Sequence, residues 1–223
     1  MEVGDEPALI ARRLGVPVAV AARRAEAVRL IEDECDVILS DDGLQHHALA
    51  RDAEIVVVDG RRGLGNGRRL PAGPLREPAR RLDEVDAVVV NGPGFAHPGA
   101  LGMEIEPLRF VELATGREAP PSAFAGRRVH AVAGLGHPER FFGLLRELGA
   151  EPVAHPFTDH HAFTARDLAF GDGLPVLMTE KDAVKCTGIA PEGAWYLEIG
   201  ARFAGNDGQR LLDSIERALR DRR

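Results

Sequence analysis

Apolar positions along the chain fall into short runs closed by turn-forming residues, at 16–20, 37–39, 54–59, 87–91, 128–133, 153–157, 174–178 and 195–199. Short apolar runs bounded by turn signals read as buried strands. The run 54–59 is apolar throughout its middle, as central parallel strands are. Pro17 puts the run 16–20 at an edge or at a strand start. Between these runs the period changes. Residues 7–14 are amphipathic and stop at Gly15. Residues 23–34 place Ala27, Leu30 and Ile31 at helical spacing on a buried side, and 80–85 reads as a short helix. Pro138 opens a helix over 139–148. Thr164 caps a short helix with Asp167 at its third position. A further helix starts at 179–183, and 206–222 carries Leu211, Leu212, Ile215 and Leu219 on one face. Residues 103–113 alternate and predict a pair of extended strands, followed by a Pro-, Ser- and Ala-rich linker over 118–126. Strands alternating with helices through short connections predict an α/β fold with a parallel sheet.

One segment breaks the regular spacing. Residues 60–78 hold Gly63, Gly65, Gly67 and Gly73, three prolines, and Arg61, Arg62, Arg68, Arg69 and Arg76. Loops of this length are functional or disordered. Glycine lets backbone approach a ligand closely and arginine suits phosphate, while a solvated surface loop has the same composition. The chain has 223 residues, 44% of them hydrophobic, enough for one large domain or two small ones. A net charge of −7 argues against a general nucleic-acid binder. No apolar run is long enough to span a bilayer, and the opening residues do not read as a secretion leader. Cys35 and Cys186 lie far apart and form no metal knuckle; two thiols in this length fit a reducing compartment. Lysine occurs only at 181 and 185.

The candidate chemistry gathers at strand ends. The run 37–39 ends in Ser40-Asp41-Asp42-Gly43-Leu44-Gln45-His46. Open α/β sheets bind ligands at the carboxyl ends of strands. There Asp41 and Asp42 can hold a Mg²⁺ that carries nucleotide phosphates; an acidic turn has the same residues. Gln45 and His46 can orient phosphate or water, or simply face solvent. Asp159-His160-His161 joins a near-neutral base to a carboxylate, and a capped loop reads the same way. His137, at a glycine-rich turn before a helix, fits an anion site or a turn cap. The charges of 179–182 fit either a site or internal ion pairs. No G-x-S-x-G elbow, H-E-x-x-H or C-x-x-C occurs.

Taken together, Val3-Gly4-Asp5-Glu6-Pro7, the Asp41-Asp42 segment, Gly65-Asn66-Gly67 with Leu70-Pro71-Ala72-Gly73-Pro74-Leu75-Arg76-Glu77-Pro78, Gly134-Leu135-Gly136-His137-Pro138, Phe157-Thr158-Asp159-His160-His161 and Thr179-Glu180-Lys181-Asp182-Ala183 resemble the tetraacyldisaccharide 4'-kinase (lipid A 4'-kinase) family. They occur in the family's order over nearly the whole chain. The resemblance implies a P-loop-type parallel sheet core over 1–100, a β-stranded linker over 101–126, a smaller α/β domain over 127–205 and a C-terminal helix over 206–223. It implies transfer of the γ-phosphate of ATP, with Mg²⁺, to the 4'-hydroxyl of a lipid A disaccharide precursor, at the cytoplasmic face of the bacterial inner membrane. By similarity Asp41 and Asp42 are the metal carboxylates. Asp5 is the base, paired with His160 from the second domain, and Glu6, Gln45, Arg76 and Glu77 line the nucleotide and metal site. The family's Walker A loop, G-x-x-x-x-G-K-[ST], and an N-terminal membrane-associating helix are not in this sequence. The expectation is therefore a member lacking its first third, with little or no kinase activity as written, exposed apolar surface and self-association. The rival expectations are a non-catalytic remnant that binds lipid or a partner, and a metal-dependent phosphohydrolase using Asp41, Asp42, His160 and His161.

Overall fold

The computed structural model describes residues 4–221; Val3 of the opening motif and Arg222 of the expected last helix lie outside the described residues. The fold is α/β. Packing divides the chain into two units that are not consecutive blocks: residues 1–36 with 107–199, and 37–106 with 200–223. The division differs from the sequential boundaries at 100, 126 and 205. Its cause is visible in two long strands, β3 (Leu101–Glu112) and β8 (Ala194–Phe203), which each run from one unit into the other.

In the first unit, β5 (Arg128–Ala133) lies between parallel neighbours β6 (Glu151–Pro156) and β7 (Val176–Thr179), and β7 pairs in parallel with β8. Among their residues the apolar Val129, Ala131, Val132, Leu177 and Met178 are wholly buried. The helices here are α1 (Asp5–Leu14), α2 (Arg24–Arg29), α3 (Pro138–Glu147) and α4 (Glu180–Cys186). Proline at the first turn opens α3, whose Phe142 and Leu145 are buried. Phe110, Phe124 and Trp195 meet edge-on in the same core. The second unit is smaller. Its strands β1 (Ile55–Asp59) and β2 (Ala87–Asn91) pair in parallel, β2 continues to the start of β3, and α5 (Asp207–Asp221) closes the chain. Val58, Leu82, Val88 and Val90 form its core.

Several elements differ from the sequence pattern. Residues 16–20 and 37–39 are not strands, and the helix expected over 23–34 stops at Arg29 and continues as turns. A strand forms only where another backbone pairs with it. Neither run has a paired strand among the described residues, and their side chains stay in water: Val37 is 53% and Leu39 86% exposed. Leu30, expected on a buried side, is likewise exposed, with Leu14, Val16 and Val20. Among the described residues β1 pairs only with β2, so it is an edge strand with Val57 outward rather than a central one. The expected strand pair over 103–113 is one strand whose end folds back antiparallel on β4 (Glu118–Ala119). The helix expected over 80–85 is a 3₁₀ turn, Ala79–Asp83.

Gly15 and the Thr164 capping box behave as expected. Gly15 takes φ 64°, the left-handed conformation that ends α1, and Thr164 and Asp167 satisfy each other's backbone. Cys186 closes α4 in full burial, and burial pushes its thiol up to about 12, so it stays protonated and inert. A thiol titration with DTNB is expected to modify Cys35 in the native protein and Cys186 only after denaturation. Rapid reaction of both native thiols would contradict this packing.

Candidate active site

Two constellations of polar residues stand out, one in each unit. The first begins at the N-terminal turn of α1. Asp5 Oδ2 lies 3.4 Å from His160 Nδ1, across 155 residues of sequence. Asp5 is largely covered, whereas His160 stands well out in solvent. Helix α4 supplies the facing charges, and it carries both lysines of the chain. Lys181 Nζ reaches Glu6 at 3.1 Å and Asp159 at 3.4 Å. Lys185 Nζ reaches Asp5 Oδ2 at 3.6 Å and Asp182 Oδ1 at 2.9 Å. Burial pushes the Asp159 carboxyl up, but the Lys181 ammonium and His160 outweigh it and hold it below the usual carboxylate range. Burial likewise works against the Lys181 charge, and Glu6 and Asp159 overcome it, leaving the ammonium firmly protonated.

Asp182 is fully buried, and its Oδ2 accepts from the Gly134 N–H at 2.9 Å and the Thr179 hydroxyl at 2.7 Å. Gly134 is required here because a Cβ would come within 2.9 Å of Asp182 Oδ1. The Gly134-Leu135-Gly136 turn and the Thr179-to-Asp182 segment are therefore one local structure. At the opposite end of α1, Arg13 binds Glu180 at 3.1 Å, Glu198 at 3.4 Å and the Ile199 carbonyl at 2.6 Å. No residue of α1 is fully buried. Ion pairs at both ends of α1 thus set where Asp5 sits.

The second constellation follows the turn at Asp41 and Asp42, both exposed. Gln45 Nε2 donates to Glu77 Oε1 at 2.8 Å, and Arg76 donates to Gln45 Oε1 at 3.4 Å. Arg76 also lies 4.0 Å from Asp42, an exposed pair worth little to stability. Behind them Arg81 binds both Glu77, at 3.3 Å, and Glu54. Glu54 is in turn 2.7 Å from Arg51, which donates to the carbonyls of Gly43 and His46. This chain of charges pins the turn that bears the two aspartates to the end of the arginine-rich loop. The loop is ordered: Asn66 bridges Arg68 N and the Ala72 carbonyl, the Leu70 N–H donates to the Leu75 carbonyl, and the Leu75 N–H donates to the Arg68 carbonyl.

Among the described residues, the non-glycine residues with positive φ are Asp42 at 47° and His160 at 58°. Such conformations persist where surrounding structure enforces them, and they cluster at functional sites.

A profile of the LpxK family, tetraacyldisaccharide-1-P 4'-kinase, matches residues 1–220. The chain belongs to this family. It is 52% identical to the tetraacyldisaccharide 4'-kinase of Pseudomonas putida strain W619 over 203 residues, covering 90% of this chain and 60% of that protein. It is 52% identical to that of Alcanivorax borkumensis over 224 residues, covering 98% and 67%. The chain thus spans roughly 60–67% of the length of such relatives. A crystal structure described as the "apo" form of LpxK from Aquifex aeolicus in complex with ATP superposes with a TM-score of 0.76. It is 28% identical and covers 96% of this chain and 69% of its own.

Within this LpxK member, the residues that the family resemblance assigned to the site fall into the two constellations. Asp5, Glu6 and His160 fall in the first constellation, and Asp41, Asp42, Gln45, Arg76 and Glu77 in the second. Asp5 and His160 lie in the same unit, so their pairing does not wait on one unit closing over the other. Sequence reasoning passed over Arg81 and Arg51, noted Lys185 only as one of two lysines, and left Asp182 between a site role and internal ion pairs. The signal for the lysines was available: the chain's two lysines sit four apart, in a helix that follows a strand.

Proposed function

We propose that this chain carries the catalytic carboxylates of a tetraacyldisaccharide 4'-kinase, which transfers the γ-phosphate of ATP to the 4'-hydroxyl of tetraacyldisaccharide 1-phosphate, a lipid A precursor. The observation that supports this most is the pairing of Asp5 with His160 at 3.4 Å, residues far apart in the chain and both singled out by family resemblance. In this reading Asp5 accepts the proton of the sugar hydroxyl, and His160 orients the carboxylate and shares its charge. Phosphoryl transfer asks a protein chiefly for positioning and charge neutralisation. Gln45, Arg76 and Glu77 hold the nucleotide side, with Glu6 beside the base.

The residues at 41 and 42 fit Mg²⁺. They are hard oxygen ligands on an exposed turn with room for water, and Mg²⁺ is commonly held by one or two carboxylates plus water and phosphate oxygens. Bound there, Mg²⁺ supplies neutralisation of the phosphate charge. Work at the cytoplasmic face of the inner membrane accords with the five arginines of the loop 60–78, which suit anionic head groups. No helix among the described residues is long and apolar enough to cross a membrane. Family membership does not favour the phosphohydrolase alternative.

The test supplies the phosphate-cradling loop that these 223 residues do not contain. Joined behind the Walker A segment of the Pseudomonas putida relative, the chain is expected to phosphorylate the disaccharide at the 4' position from radiolabelled ATP. The chain alone is expected to transfer little or none. A folded, ATP-binding chimera that leaves the disaccharide untouched would refute the reading.

A further inference from the structure

We propose that Lys185, held by the buried Asp182, is a positioning residue that sets the conformation of Asp5. The inference rests on the reading of Asp5 as the base and adds a third member to its pairing with His160. Three observations lead to it. The first is burial: Lys185 Nζ and Asp182 Oδ1 are both sealed from solvent. An ammonium with no access to the surface acts through its neighbours, not on a substrate. The second is geometry. Nζ sits 2.9 Å from Asp182 Oδ1, close as an ion pair but out of line as a hydrogen bond, so its N–H donors are not spent on Asp182. The nearest other carboxylate is Asp5, at 3.6 Å.

The third observation is how firmly the ammonium is held. Asp182 is fixed by Gly134 N and Thr179, and Lys185 lies over the Phe163 ring at 5.0 Å. The groups facing Asp5 are then Lys185 from α4, with Asp182 behind it, and His160 from the loop after β6. Glu6 is its neighbour on α1, and Lys181 is drawn to Glu6 and Asp159. The contacts from Lys185 and His160 both fall on Asp5 Oδ2. One carboxylate oxygen of Asp5 is thereby tethered to two protein cations from different elements. Since α1 buries no residue fully, this tether does for Asp5 what core packing does for most catalytic side chains.

The test uses the whole chain and needs no turnover. Three-bond couplings to the Asp5 carboxyl carbon, read by NMR on labelled protein, are expected to report a single χ1 rotamer. Removing Lys185 alone leaves Asp182 buried without its counter-ion, so the informative variant is Asp182→Asn with Lys185→Met, a neutral pair of similar shape. In it the couplings are expected to average over two or more rotamers. Lys185→Arg, which keeps the cation, is expected to retain the single rotamer. A folded double variant in which Asp5 keeps one rotamer overturns the proposal, as does loss of the rotamer in Lys185→Arg. Asp5→Asn separately reports the pairing through the ¹⁵N resonances of the His160 ring. An Asp5 that responds to Lys185 beside a His160 that ignores Asp5→Asn supports the tether and counts against the base reading, so the two failures are distinct.

Discussion

Asp5→Asn in the chimeric kinase is expected to lower kcat by about 10²–10⁴-fold, the usual contribution of a positioned general base. The amide matches the carboxylate in size, so α1 keeps its place, but it cannot take up the hydroxyl proton. Because the lost interaction belongs to the transition state, kcat and kcat/KM are expected to fall together with KM for ATP little changed. His160→Ala is expected to cost less, since its ring acts through Asp5 Oδ2 at 3.4 Å. Steady-state kinetics on the three proteins decides this. An Asp5→Asn enzyme within a few-fold of its parent would remove Asp5 from the chemistry.

The largest effect on folding is expected from Asp182→Ala. Asp182 is fully buried, accepts from the Gly134 amide and the Thr179 hydroxyl, and lies 2.9 Å from the Lys185 ammonium as its ion-pair partner. Removing one partner of a buried ion pair costs about 3–5 kcal/mol, because the remaining charge stays in the interior unpaired. Urea unfolding is expected to show a midpoint lowered by that energy divided by the slope, with the slope itself unchanged. Asp182→Asn with Lys185→Met is expected to keep most of the stability, since neither residue then buries a charge. A loss below about 1 kcal/mol for Asp182→Ala, the ordinary cost of a substitution, would mean that the pair is hydrated in solution.

What could be read from the sequence follows a physical division. Elements whose evidence is local were legible: Gly15 ends α1, Pro138 opens α3, the Thr164 box forms, and the apolar runs at 87–91, 128–133 and 174–178 become or overlap β2, β5 and β7. Elements that require a partner were not. The run 37–39 has strand composition, but pairing is a property of two segments, and Leu39 stands in water. The helix over 23–34 has the right period, yet with Leu30 exposed no packing sustains its last turns. The site shows the same division. Motif order pointed to Asp5, His160, Asp41, Asp42, Gln45, Arg76 and Glu77, while the charges that hold them are set by tertiary structure. Arg81 and Arg51 belong to no glycine-rich loop or strand end, and only the fold shows that they link Glu77 to the Gly43 carbonyl.

The fastening of α1 by Arg13, Lys181 and Lys185, with Pro7, Ala8, Leu9 and Ile10 only partly covered, has a mechanical consequence. A segment wedged into a tightly packed interior cannot slide without opening a void, whereas long flexible cationic arms let their anchored partner travel a short way at small energetic penalty. In the proposed reading, Asp5 therefore keeps one rotamer against Lys185 and His160 while α1 as a body can shift slightly to follow an incoming sugar.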